Sequence, residues 1–453
     1  MATYTRKKYF SQKRRWQSWL DVEAALARVL GREGIIPQWA ACKIADASKL
    51  EQLDKKALRE EVKRTMAPVH ALACELAKAS GEAGGWVHWG ATTQNIIDAG
   101  RLLVLRDVQK DLKHQLALVL NCFAYLADKH AETSMVGRTN RQQALPVTFG
   151  FKVASWIDEF LRIWDQLEEC EERLFELRFG GAIGAFHSLG EAGPDISIRL
   201  AEELGLRPAR YEGRVQVDVL IEYVSRLGII GVAAYRVASD LYQMMQSEVG
   251  ELAEDFGAEV VGSSTMPHKS NPKLVVGLIA NANRLRSFGA SAYSLTPPSF
   301  EGDSVTNREM QKQVEDTVEC AFCVTAGLQK VIDSLSVNSN NMTKTLTSSG
   351  KETSMENLMM NLAQSIGRGA AHDILHEAIV ISRTTGKPVD EILLRQPEFR
   401  NNMGKETLNN LLDPEKNIGQ SVRIARQVAA KARERTSQFK YCLLYTSPSP
   451  RDA

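Results

Sequence analysis

Residues 217–252 read VDVLIEYVSRLGIIGVAAYRVASDLYQMMQSEVGEL, and the spacing of their apolar residues decides the fold. Val217, Val224, Gly231, Ala238, Met245 and Leu252 recur every seven residues, with Leu220, Leu227, Ala234 and Leu241 three residues behind the first four. An a/d repeat of this kind marks a helix that packs along one seam against other helices. Gly231, Ala234 and Ala238 make the middle of the seam small, so a neighbouring backbone can come close. Ile221, Ile229, Ile230 and Val232 are apolar off the seam as well, which favours a buried bundle helix over a free coiled coil.

The same reading extends outward. Proline is absent from 69–145, 147–193, 209–266 and 299–387, and because proline breaks helix interiors these gaps admit very long helices. A second long helix is predicted over 147–178 on Val153, Trp156, Phe160, Ile163, Trp164, Leu167, Leu174 and Leu177, and a third over about 308–335. An amphipathic helix near the start carries Trp16, Leu20, Val22, Ala25, Leu26, Val29 and Leu30. Strand-like alternation is scarce. The expectation is an all-α chain of three helical domains: 1–95, a central long-helix bundle at 96–340, and 341–438. Residues 441–453 (YCLLYTSPSPRDA) lose helical period abruptly, and 439–453 is read as a non-native tail outside the fold.

Composition narrows the function. The 453 residues hold 56 Lys plus Arg against 55 Asp plus Glu, a net charge of +1. That balance argues against a nucleic-acid binder or a polybasic membrane protein, yet leaves room for a local cationic pocket. No apolar run approaches the roughly 20 residues that span a bilayer. The seven scattered cysteines fit a reducing compartment, and a cytoplasmic location is expected. Cys320 and Cys323 form a lone CxxC inside a predicted helix, with no second pair at zinc spacing. The basic start (Arg6, Lys7, Lys8, Lys13, Arg14, Arg15) would suit a transit peptide, but it runs directly into the first amphipathic helix.

Three glycine-rich interruptions punctuate the helices, at 80–90, 179–193 and 257–272. The last contains Gly262-Ser263-Ser264-Thr265-Met266-Pro267-His268-Lys269-Ser270-Asn271-Pro272. Hydroxyls, an ammonium and a carboxamide gathered on a glycine-rich loop suit an anion: backbone N–H groups and Lys269 can hold a carboxylate, and Asn271 can donate to it. A hydroxyl beside several donors has its alkoxide stabilised and can serve as a base.

This string resembles the signature loop of the fumarase/aspartase superfamily, G-S-S-x-M-P-x-K-x-N. Val87-His88-Trp89-Gly90-Ala91-Thr92-Thr93-Gln94 is similar to its first conserved region, and Gly137–Gly150 (GRTNRQQALPVTFG) to its second. Together these extend the likeness over about 9–438. WLDVEAALA, HWGATTQ and QQALPVTFG are similar to the adenylosuccinate lyase and 3-carboxy-cis,cis-muconate cycloisomerase branch, and Asp303-Ser304-Val305-Thr306-Asn307-Arg308 resembles the D-S-x-x-x-R of the former.

The resemblance implies an anti β-elimination on a succinyl-type substrate, or its reverse, through an aci-carboxylate intermediate. The product would be fumarate or a fumarate-like acid; cycloisomerisation of a muconate is the alternative. It implies Ser263 as the base, and Lys269 and Asn271, with Ser264 beside them, as carboxylate ligands. Thr92, Thr93 and Gln142 become substrate-binding residues, His88 a substrate-contacting histidine, and Arg308 a clamp on an anionic group. It also implies a homotetramer with a 20-helix core whose active sites are shared between subunits. The partner is a small substrate with carboxylates, with no nucleic acid, membrane, metal or organic cofactor required.

The chain departs from the pattern in places. Asn140 stands where the family has the histidine of G-R-T-H, its usual acid to the leaving group, and a carboxamide donates hydrogen bonds but no acid proton. Asn95 and Ala99 replace an acid and a hydroxyl of the first region. No arginine precedes Asp303 at the place where a nucleotide phosphate would be held. The catalytic set is accordingly read as Ser263, His88 and Asn140, with His88 or His187 as the replacement acid. A competing reading is a structural or regulatory member that lost catalysis.

Overall fold

The computed structural model describes residues 2–256, 260, 262–266 and 268–442. Eighteen α-helices and three two-stranded sheets form among them, so the chain is all-α. The longer helices include α1 (Thr93–Lys129), α2 (Phe149–Leu174), α3 (Asp218–Met244), α4 (Leu274–Ser291) and α5 (Ser304–Asp333). Among the described residues no helix is long and apolar enough to cross a membrane. Residues 443–453 of the predicted tail lie outside the described residues, and Ser437–Cys442 close the described chain as a 3-10 turn.

The chain forms two compact units. The first comprises 1–116, 162–232 and 280–326. Its core is built on the Gln12–Arg32 helix, where Trp16, Trp19, Leu20, Leu26 and Leu30 are buried with Ile44, Leu72, Ile96, Leu103 and Leu200. Ser11 caps that helix by accepting the Arg14 N–H. Within this unit α3 and α4 meet backbone to backbone. A Cβ added to Gly228 would lie 2.7 Å from the Gly289 Cα, and one on Gly231 would lie 2.8 Å from the Ala282 carbonyl oxygen. Gly231, the first of the three small seam residues, therefore does what its residue type predicts.

The second unit comprises 117–161, 233–279 and 327–453. Phe123, Phe149, Trp156 and Phe160 form an aromatic cluster in it, with ring centroids 5.6–6.3 Å apart. A satellite core of Leu358, Leu362, Leu375, Leu393, Phe399 and Leu408 holds the C-terminal helices.

Three expectations need correction. The heptad helix stops at Met244 instead of running to Leu252: Gly250 turns the chain at φ +55°, and Leu252 is buried as a strand residue opposite Val337. Val232, expected to be covered, is 48% exposed in the chain. The helix predicted over 147–178 ends at Leu174, since Glu176–Leu177 pair in parallel with Arg207–Pro208. A hairpin that periodicity did not reveal precedes it. Strand β1 (Ser134–Thr139) runs antiparallel to β2 (Gln142–Thr148), with a register shift between Val136 and Arg138.

Candidate active site

The segment 87–94 leads into α1. Thr92 precedes the helix, and the Asn95 side-chain oxygen accepts its N–H at 3.1 Å while Asn95 N–H returns to the Thr92 carbonyl at 3.0 Å. This reciprocal closure satisfies donors that a helix start leaves open. Asn95 is 1% exposed, so it acts as a buried cap. Thr92 is half-buried and Thr93 exposed. Just upstream, His88 holds a left-handed backbone at φ +62°, and Gly90 follows at φ +74° with space for no Cβ beside Leu189.

The His88 imidazole is anchored rather than loose. Its Nδ1 lies 2.6 Å from Glu23 Oε1, and Glu23 is 2% exposed on the Gln12–Arg32 helix. Burial pushes the His88 imidazole down, but the hydrogen bond and charge of Glu23 together outweigh it and hold it above its ordinary value.

The first and last motifs meet in the same unit. Asn307 Nδ2 donates to Gln94 Oε1 at 3.0 Å, Gln94 Nε2 donates to Asp98 Oδ1 at 2.8 Å, and Arg101 pairs with Asp98 at 3.3 Å. Asp303 starts α5 by accepting the Val305 N–H at 2.8 Å, which keeps its carboxyl below the usual range. Arg308 follows one turn later, exposed, and among the described residues no carboxylate neutralises it. A cavity of about 300 Å³ is lined by Gln94, Arg101, Ser304, Asn307 and Arg308 on its polar side, with Glu315 paired to Arg15 at 2.7 Å, and by Phe10, Trp19 and Ile97 on its apolar side. His88, Thr92 and Thr93 are outside that lining.

The second unit carries the other two segments. Thr139 pairs with Gln142, so Asn140 and Arg141 alone connect the strands, at φ +49° and +63°. Two consecutive positive φ values define the type I′ hairpin turn, in which Asn is favoured at the first position. Asn140 is exposed at that tip, as are Arg141 and Gln142. Arg138, one pair back from the turn, makes two hydrogen bonds, of 3.0 and 2.6 Å, to the fully buried Glu251. A hollow of about 550 Å³ lies beside Arg138, Asn140, Arg141, Lys152 and Asp240.

In the signature loop the Met266 N–H donates to Ser263 Oγ at 3.2 Å, the Lys269 N–H closes a turn onto the Met266 carbonyl at 2.9 Å, and Asn271 Nδ2 donates to the Gly262 carbonyl at 3.2 Å. Gly262 is required there, because a Cβ would lie 2.5 Å from the Lys269 carbonyl oxygen. Ser263 is half-buried; Ser264, Lys269 and Asn271 are exposed. Glu254 accepts the N–H groups of Lys273, Leu274 and Val275 at 2.6–3.1 Å and so fixes the loop's exit into α4. Pro267 lies outside the described residues.

Glu23, Gln94, Asn307, Glu251 and Glu254 were not singled out by sequence. A signal existed for Glu23, an acid set among apolar residues on a core-facing helix, and for Gln94 and Asn307, which stand inside the first and last motif strings. The remaining histidines of interest are solvent-facing: His187 and His268 are exposed, and His372 stacks on His376 with ring centroids 6.0 Å apart. Cys320 is buried, which raises its thiol to about 12, out of reach of thiolate chemistry at neutral pH.

A family profile described as Lyase matches residues 7–284, and one described as Adenylosuccinate lyase C-terminus matches 354–428. The chain is 34% identical over 420 residues to 3-carboxy-cis,cis-muconate cycloisomerase of Pseudomonas aeruginosa, covering 91% of each. It is 32% identical over 404 residues to N-acetyl-S-(2-succino)cysteine lyase of Enterococcus italicus, covering 88% of each. The crystal structure of fumarate lyase from Mesorhizobium sp. BNC1 superposes with a TM-score of 0.85 at 30% identity, over 94% of this chain and 97% of that one.

Proposed function

The chain belongs to the fumarase/aspartase superfamily of lyases, and from that premise we propose that it cleaves a succinyl-type substrate by anti β-elimination, releasing fumarate or a close analogue. The observation that carries this reading is the Ser263 hydroxyl. Its oxygen accepts a backbone N–H from Met266 within a loop that also presents Lys269 and Asn271, and donors aimed at an oxygen stabilise its alkoxide. Ser263 removes the proton beside one carboxylate. The electron pair moves into that carboxylate, whose doubled charge Lys269 and Asn271 hold, and returns to form the double bond as the β-substituent leaves with its bonding pair. His88 supplies the proton to that substituent, while Asn140, Gln142, Thr92, Thr93 and Ser264 orient the substrate by hydrogen bonds. Arg308, with no carboxylate partner among the described residues in its cavity, takes a further anionic group.

A second reading is favoured by Asn140. In 3-carboxymuconate cycloisomerisation a carboxylate oxygen adds to the double bond and closes the ring, the π pair moves into the conjugated carboxylate, and Ser263, as a neutral hydroxyl, gives its proton to the carbon of that aci-carboxylate, so no acid is needed at residue 140. The identity to the P. aeruginosa cycloisomerase supports it equally. We also propose a cytoplasmic homotetramer, with the N-terminal, central and C-terminal helical segments expected above. Val232, Tyr242 and Val276 on α3 and α4, each 44–48% exposed, support burial of these helices by further subunits.

The test assays fumarate release from adenylosuccinate, argininosuccinate, N-substituted aspartates and an S-succinylated thiol, beside lactonisation of 3-carboxymuconate. Ser263→Ala is expected to lower kcat by at least about a hundredfold on the true substrate. A wild type that turns over nothing the variant does not would sink both readings.

A further inference from the structure

We propose that Glu23 is the positioning residue that makes His88 the proton donor of the reaction, supplying for this chain the acid that Asn140 cannot be; the proposal rests on the lyase reading above. An ionised carboxylate only accepts hydrogen bonds. Beside an ionised Glu23, whose Oε1 lies 2.6 Å away, His88 Nδ1 carries a proton, which fixes the ring's orientation and leaves Nε2, on the far side of the ring, as the nitrogen that gives a proton to a leaving group.

The surroundings of Glu23 point the same way. Its side chain is 2% exposed, and Oε2 is buried without a hydrogen-bond partner. Its helix neighbours Val22, Ala24, Ala25 and Leu26 are buried apolar residues. An uncompensated carboxylate in such a place is costly. The group in hydrogen-bond contact that can offset it is the His88 imidazolium, so the pair favours a protonated ring. His88 also keeps a left-handed backbone at φ +62°, a conformation that persists only where surroundings enforce it. Neither fact is explained by a histidine that merely fills a loop.

Two measurements decide the matter. First, wild type, Glu23→Gln and Glu23→Asp are compared on an N-substituted aspartate and on an S-succinylated thiol. An amine must be protonated as it leaves, whereas a thiolate, with a pKa near about 8.5, departs without help. Glu23→Gln is expected to lower kcat on the amine substrate by about a hundredfold or more. It should lower kcat on the thioether less than about tenfold, with KM little changed on either; Glu23→Asp should fall between wild type and Gln on the amine. Equal losses on both substrates would overturn the proposal, since a merely structural Glu23 cannot distinguish leaving groups. Second, 15N NMR of the histidines in the substrate-free wild type is expected to show His88 Nδ1 protonated at neutral pH. A bare Nδ1 overturns the proposal whatever the substrate. If neither wild type nor Ser263→Ala turns over either substrate or 3-carboxymuconate, the lyase reading fails, while the NMR result still decides the Glu23–His88 pair.

Discussion

At the scale of single residues, the Glu23–His88 pair ties stability to pH. The folded His88 imidazole sits above its ordinary value because the hydrogen bond and charge of Glu23 outweigh desolvation. A raised histidine stabilises the fold fully below its unfolded value, about 6.5, and loses that contribution as pH rises through the folded value. The thermal midpoint of the wild type should therefore decline over that interval more steeply than that of Glu23→Gln. Identical profiles would show that the pair adds nothing to stability. Asn95 stands where the family pattern has an acid, and its buried carboxamide closes the start of α1. Asn140 stands where the family pattern has a histidine, and its φ of +49° shows that a turn also favours it. Sequence shows which residue type is missing, but the backbone angle that constrains the replacement comes only with the folded chain.

At the scale of elements, the small seam of α3 was legible because close helix approach needs small side chains and no others. The packing gives it a sharp consequence. In a free helix Gly→Ala is favourable by about 0.5–1 kcal/mol. At Gly228 the new methyl would meet the Gly289 backbone at 2.7 Å, and backbone cannot rotate aside. Overpacking of this kind costs about 1–3 kcal/mol, so the clash wins. Gly228→Ala should lower the denaturant midpoint, and an unchanged or raised midpoint would mean that the two helices separate freely. The hairpin was not legible. Met135, Val136, Pro146 and Thr148 are its buried residues, too few and too uneven to show a period of two, and its register depends on the Asn140–Arg141 turn.

At the scale of the molecule, His88 and Ser263 belong to different compact units of one chain. The proposed tetramer with shared sites leads to a direct expectation. Subunits carrying His88→Asn and subunits carrying Ser263→Ala, each inactive alone, should regain activity when dissociated together and reassembled, because some sites then receive both intact residues. Mixed tetramers that form without recovering activity would refute shared sites.

The sequence by itself determined the helical class and the superfamily, because heptad spacing and loop motifs are properties of residues close together in the chain. Helix propensity, glycine tolerance and the chemistry of Ser263, Lys269 and Asn271 act over such short distances. Tertiary structure alone decided the partners across the chain: Glu23 on His88, 65 residues apart, and Asn307 on Gln94, 213 residues apart. A buried carboxylate and an imidazole, or two carboxamides, meet through packing that brings distant segments within about 3 Å, and no local pattern records which of the many acids and amides will be the one to arrive.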